Sequence, residues 1–533
     1  MSLKMTEDEI DEFNMLKISE PMVDNRKVGE SETSEDNSQK NILVEKHEKL
    51  PLEDTPFPFL KSLIPMMITD GLEEGRKRNN KVIEFVHPKE LKKRLDWMEI
   101  SGEGTEDSKL LDACADIIKY SVKTGHPRFC NQLFGGMDEY SLAGSWLTEV
   151  LNTSQYTYEV APVFTIMEKS IYKKLLSFVG FENGEGIFCP GGSVANIYAL
   201  NIARYKRHPE IKTKGMTALE KPLVILTSEK CHFSIKKAAI LLGIGTDYVY
   251  TIKTDARGCM IPEELDKRIE EAYDNGLEPF FVNATAGTTV RGAYDPIDKI
   301  ADVCKKHRLW LHVDGAWGGS ALMSRTYRHY LRGIERADSM TWDPHKLMGA
   351  PLQCAVILTR HKDILKQCNS ACATYLFQQD KFYDVLYDTG DMSIQCSRKV
   401  DVLKLWMLWK AKGDTGFEKD IDNAFHCSHY LAQKLKRTPG FRLLDEPQCT
   451  NVCFWYIPHS LRDQPETEEW WQKLHRVAPA IKKRMVENGS MMIGYQPDGK
   501  YVNFFRMIVT NLDTTEEDMD FLVDEISRLG NDL

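Results

Sequence analysis

The chain has no long apolar run. Its apolar stretches are strand-sized, such as Leu309 to Val313, and nothing approaches the ~20 consecutive apolar residues of a membrane span. It has no basic excess either: 79 Asp and Glu outweigh 69 Lys and Arg, for a net charge of −10. Domains that bind nucleic acid are usually basic, so that class is disfavoured. Paired cysteine spacing is absent. The 13 cysteines are odd in number and scattered, with no C-x-x-C. That argues against a disulfide framework and against a zinc site, so reduced core thiols and no metal are expected. The opening Thr6-Glu7-Asp8-Glu9 is neither a secretory signal nor an Arg-rich transit sequence. A soluble, cytoplasmic protein without membrane or nucleic-acid partners is therefore expected.

What is present is an ordinary globular composition, 42% hydrophobic and 28% charged, in 533 residues. That length suits about two to four domains. Residues 1–55 are polar and acidic. The first 50 hold 13 Asp and Glu against 7 Lys and Arg, leaving the rest of the chain only mildly acidic. Such a stretch buries too little apolar surface to order itself, and a disordered tail is expected. Residues 56–152 show helical spacing, for example Leu110, Leu111, Ala115 and Ile118. They read as an N-terminal helical segment.

The middle, 153–411, alternates strand and helix. Strands are expected at 223–226, 248–250, 279–282, 309–313, 340–342 and 353–358. Helices are expected at 234–242, 262–273 and 297–307. This order points to an α/β domain with a mostly parallel sheet between helices, the last strand antiparallel. A long helix at 400–412 leads into residues 412–533. There a helix at 417–436, strands at 452–457, 491–493 and 502–509, a helix at 468–487 and a closing helix from Thr515 suggest a small α+β domain.

Chemistry concentrates on His232, Asp314 and Lys346, with the turn Gly191-Gly192-Ser193. Asp314 ends the apolar strand at 309–313, and Lys346 follows the strand at 340–342. Both should reach the C-terminal edge of the sheet, where open α/β sheets bind ligands. A lysine beside a buried carboxylate suits a Schiff base to pyridoxal phosphate, the Asp holding the pyridinium proton. The glycine turn precedes a helix expected to start near Ala195. Glycines let the backbone approach a phosphate, and the helix N-terminus supplies N–H donors. His232 follows the strand at 223–226, where an imidazole can stack on a pyridine ring.

Over residues 57–533 the sequence resembles the pyridoxal-phosphate-dependent group II amino-acid decarboxylases. The matching stretches are Thr124 to Phe129, Tyr156 to Val163, Pro190-Gly191-Gly192-Ser193, Val313-Asp314 with Ala316-Trp317-Gly318-Gly319, and Pro344-His345-Lys346. The resemblance implies the type I fold of pyridoxal-phosphate-dependent transferases, built as a large domain, a small C-terminal domain and an N-terminal helical dimerisation segment. It implies that Lys346 carries the cofactor, Asp314 pairs its ring nitrogen and His232 stacks on the ring. Gly192, Ser193, Ala316 and His345 would complete the cofactor site. Gln132 and Arg506 would bind the substrate carboxylate. Tyr375 would lie on a mobile loop that reaches the neighbouring subunit's site in a homodimer, and would be the general acid.

Within the family the sequence is similar to the branch acting on short acidic amino acids. Phe134, after Asn131-Gln132-Leu133, resembles the cysteine-sulfinate and aspartate type, and a bulky ring there would shorten the pocket. The stretch Gln378-Gln379-Asp380-Lys381-Phe382 resembles the same branch. The expected reaction is aspartate to β-alanine, cysteine sulfinate to hypotaurine, or both. Glutamate decarboxylation is the nearer alternative; an aldehyde synthase, an aminotransferase and a non-catalytic binding protein are further ones. Three positions depart from the branch: Asp343 stands where Asn is usual, Gly315 where Ala is usual and Gly135 where Ser is frequent. An ionised Asp343 near a phosphate would repel it. Asp343 should therefore point away, be protonated, or weaken cofactor binding.

Overall fold

A computed structural model of the chain describes residues 56–378 and 380–533. The expected tail at 1–55 and Gln379 lie outside the described residues. Residues 66–533 form one compact unit. Strand β1 (Phe129–Cys130) is short and belongs to the smaller of two sheets. The larger sheet contains β2 (Glu185–Cys189), β3 (Leu223–Ser228), β4 (Val249–Ile252), β5 (Glu278–Thr285), β6 (Trp310–Asp314), β7 (Ser339–Trp342) and β8 (Ala355–Thr359). Its order is β2-β8-β7-β6-β5-β3-β4. Neighbours from β7 through β4 pair in parallel; β8 is antiparallel to both β7 and β2.

Successive strand residues face opposite sides, and two cores result. In β3, Val224 and Leu226 enter one core while Leu223 and Ile225 enter the other. Both faces are covered, so the inner strands read as continuous apolar runs. The helix Ile297–His307 turns Ile297, Ile300, Ala301 and Cys304 inward at helical spacing. Lys305, Lys306 and His307 close it, favourably placed against the helix dipole.

The smaller sheet has the order β1-β11-β12-β10-β9, with β9 (Phe441–Leu443), β10 (Asn451–Tyr456), β11 (Met492–Asp498) and β12 (Tyr501–Ile508). The pairing of β1 with β11 is parallel, Phe129 opposite Met492. Residues 66–152 are thus not wholly helical, and part of this segment packs against the rest of its own unit. On the helix Glu139–Leu151, Ser141 donates from Oγ to the Lys404 carbonyl at 3.0 Å. The expected helices at 400–412 and 417–436 run on as Val402–Arg437, bent at Gly413 with φ +61°. A residue with a Cβ is strained in that left-handed conformation.

Two departures in the sequence have spatial explanations. A Cβ at Gly315 would stand 2.6 Å from Met340 Cε, and one at Gly135 would stand 2.8 Å from Thr510 Oγ1. In each case a neighbouring side chain fills the space an alanine or serine would use.

Candidate active site

The C-terminal ends of the parallel strands open onto a cavity of about 340 Å³. Seven of the predicted residues line it: Gly192, Ser193, His232, Asp314, Ala316, His345 and Lys346. They arrive from the ends of four strands or the turns that follow: Gly192 and Ser193 after β2, His232 after β3, Asp314 and Ala316 at the end of β6, and His345 and Lys346 after β7. The helix after β2 is Gly192–Arg207, three residues earlier than expected, so Gly192 and Ser193 lie in its first turn. Their N–H groups have no partner within the helix and are available to an anion.

Asp314 is buried, 5% exposed. Its Oδ1 accepts the Ala316 N–H at 3.1 Å and its Oδ2 accepts from Asn196 Nδ2 at 2.9 Å. A carboxylate only accepts, so the Asn196 amide nitrogen must face it. The same nitrogen donates to Ser234 Oγ at 2.9 Å. The amide oxygen then faces Thr341 Oγ1, which donates at 2.8 Å, and His312 Nε2 at 3.0 Å. His312 must therefore carry its proton on Nε2, with Nδ1 facing Ser339 Oγ at 2.9 Å. Burial holds this imidazole neutral, pushing its pKa down to about 4. Asn196 and His312 were missed from sequence. The available signal was an asparagine one turn into the helix that follows the glycine pair.

Ser234 links this network to His232. Its hydroxyl oxygen lies 2.9 Å from His232 Nδ1, and its N–H donates to the same nitrogen at 3.3 Å. Nδ1 is thus an acceptor and the neutral ring is protonated on Nε2. Burial lowers the imidazole pKa, opposed by the charge of Asp314.

Lys346 Nζ lies 3.3 Å from Asp343 Oδ2. Asp343 therefore points into the site. A Cβ at Gly192 would meet its Oδ2 at 2.6 Å. His345 is fixed by its Nδ1 against the Cys354 carbonyl at 2.6 Å, and burial lowers its pKa.

The predicted substrate residues are spread more widely. Arg506, on β12, donates from Nη1 to the carbonyl of Thr289, a cavity residue, at 3.1 Å and from Nη2 to the Asn131 carbonyl at 3.3 Å. Its Nε is buried without a partner, and among the described residues it makes no ion pair. From the stretch 131–134 the cavity takes Leu133. Gln132 is exposed, and the Phe134 ring packs on Phe129 with centroids 6.3 Å apart and is not among the residues lining the cavity. Tyr375 is 78% exposed and outside the cavity.

Glu168 is a second hub that sequence reasoning missed. Buried on the helix Pro162–Val179, it accepts from both terminal nitrogens of Arg398, from Gln155 Nε2 at 2.9 Å and from the Phe188 N–H at 2.9 Å. It ties Gln155, which precedes the Tyr156 to Val163 stretch, and Arg398 to Phe188 near the end of β2, the strand that leads into the glycine turn.

The family described as the pyridoxal-dependent decarboxylase conserved domain matches residues 88–457, more than half the chain. Cysteine sulfinic acid decarboxylase of Homo sapiens is 52% identical over 475 residues, covering 89% of this chain and 96% of the relative. Acidic amino acid decarboxylase GADL1 of Bos taurus is 56% identical over 476 residues, covering 89% of this chain and 91% of the relative. The crystal structure of mouse CSAD in apo form has a TM-score of 0.87 at 51% identity, covering 89% of this chain and 99% of that chain. The chain belongs to the pyridoxal-dependent decarboxylases.

Proposed function

We propose that the protein decarboxylates short acidic amino acids, aspartate to β-alanine, cysteine sulfinate to hypotaurine, or both, with pyridoxal phosphate as cofactor. The observation that carries the substrate class is Arg506. A half-buried guanidinium held by two carbonyls beside the cavity, with no carboxylate partner among the described residues, is a site for an anionic group. The relatives are named for decarboxylating cysteine sulfinic acid and acidic amino acids, which agrees with that chemistry.

The residues of the cavity suit the cofactor. When bound, pyridoxal phosphate supplies the sink for the electron pair released as carbon dioxide departs. Lys346 offers the amine. Asp314, oriented by Asn196 and the Ala316 N–H, keeps a negative charge where a ring nitrogen's proton would be held. His232 presents a neutral ring. Gly192 and Ser193 direct N–H donors at the phosphate end. Arg506 binds and orients the substrate's acid group, and Tyr375 donates the proton to the α-carbon.

Tyr375 is exposed and outside the cavity of its own chain, so the proposal includes a cytoplasmic homodimer with shared sites, in which Tyr375 serves the second copy. Apolar side chains are exposed on the helix Glu139–Leu151, at Tyr140, Leu147 and Val150, and at Val163, Ile166 and Phe382. They would be covered by such an interface. A fully active single-chain species in light scattering would contradict it.

Steady-state rates with cofactor-loaded enzyme on aspartate, cysteine sulfinate and glutamate test the function. The four-carbon-scale substrates should lead glutamate in kcat/KM by about 10–200-fold, the worth of one methylene. A preference for glutamate, or no decarboxylation of any of them, would overturn the reading.

A further inference from the structure

Asp343 has the wrong charge for its position. It is 1% exposed, at the C-terminal end of β7. Its Oδ2 stands so close to Gly192 that a Cβ there would meet it at 2.6 Å. It therefore lies against the first turn of the helix Gly192–Arg207, the turn whose free N–H groups suit a phosphate. Oδ2 also holds Lys346 Nζ at 3.3 Å and lies 3.7 Å from His345 Nε2. Oδ1 is buried in the same place with no hydrogen-bond partner. A buried acceptor left unpaired calls for an explanation.

We propose that Asp343 is a built-in competitor for the phosphate end of the cofactor site, occupying the helix N-terminus and holding Lys346 until the cofactor displaces it. The inference rests on reading the cavity as a pyridoxal phosphate site. A phosphate seated at this helix end meets a carboxylate in a water-poor setting, where like charges repel strongly. Lys346, the amine that must react, starts in an ion pair that loading must break. The carboxylate thereby sets cofactor affinity, and the loaded fraction of the enzyme follows the cofactor supply. Asp343 is a positioning residue in this scheme, acting through Lys346 and through the phosphate.

The test compares two ligands on the cofactor-free protein: pyridoxal phosphate, and pyridoxal, which has the aldehyde and ring but no phosphate. Their dissociation constants are read from the visible absorbance of the lysine-bound aldehyde, in wild type and in Asp343→Asn. Asp343→Asn should bind pyridoxal phosphate at least about tenfold more tightly, from removal of one like charge, while pyridoxal changes much less. Asp343→Ser should show the same pattern and serves if the first variant folds poorly. Equal pyridoxal phosphate affinities in wild type and variants would overturn the inference. An equal gain for both ligands would overturn the phosphate role, since the effect would then act through Lys346 alone. No visible band in any of the proteins would remove the cofactor reading itself, and the inference with it.

Discussion

Asn196 Nδ2 donates to Asp314 Oδ2 at 2.9 Å, while the same side chain's oxygen accepts from His312 and Thr341. One amide thus fixes the direction of the carboxylate, the tautomer of His312 and, through Ser234, the acceptor role of His232 Nδ1.

Asn196→Ala leaves several buried polar groups unpaired. Each such group costs about 1–3 kcal/mol. The variant should unfold at lower urea concentration and bind pyridoxal phosphate more weakly, because Asp314 loses its orientation. Urea melts and cofactor titration check both effects. Unchanged cofactor affinity would show that the Ala316 N–H alone positions Asp314.

His312 gives a pH signature. Its pKa falls from 6.5 in the unfolded chain to about 4 in the fold, through burial. Between those values the unfolded chain takes up the proton first. The contribution is therefore fully present above about pH 6.5 and is lost as pH falls toward 4, up to about 3 kcal/mol. His312→Gln can still donate to Asn196 without titrating. The stability difference between wild type and this variant should shift against wild type on acidification. A pH-independent difference would mean that His312 does not titrate in this way.

Much of this site was legible in the sequence because its parts sit at strand ends. Asp314 closes an apolar run, Lys346 follows one, and β-α alternation sends both to the same sheet edge. The structure indeed brings them into one cavity with Gly192 and His232. The partnerships that lock them were not legible. Asn196 meets Asp314 across 118 residues and Glu168 meets Arg398 across 230, and local spacing carries no trace of either. The pairing of β1 with β11 is equally remote: two residues within a helical-looking segment are too short to announce a strand. The space claimed by Met340 at Gly315 and by Thr510 at Gly135 exists only after folding.

Arg506→Lys should lower kcat/KM on acidic substrates at least about tenfold, more than replacement of a surface arginine. The guanidinium offers a planar fork to a carboxylate and the ammonium only a point charge. The two carbonyls that hold Arg506 would also lose their donors. Unchanged kinetics in the variant would remove Arg506 from substrate binding.

Tyr375→Phe keeps the ring and removes the phenolic proton. Amine formation should fall by ~10²–10⁴-fold, the usual worth of a positioned general acid, with cofactor affinity preserved. Amine production at the wild-type rate would make Tyr375 a packing residue of its loop.

The most direct measurement is chemical. Borohydride reduction of the cofactor-loaded enzyme fixes the pyridoxyl group to the amine that carries it, and peptide mass mapping locates that amine. The account predicts a single modified residue, Lys346, beside Asp343 and at the sheet edge with Asp314. A pyridoxyl group on any other lysine, with Lys346 unmodified, would contradict it.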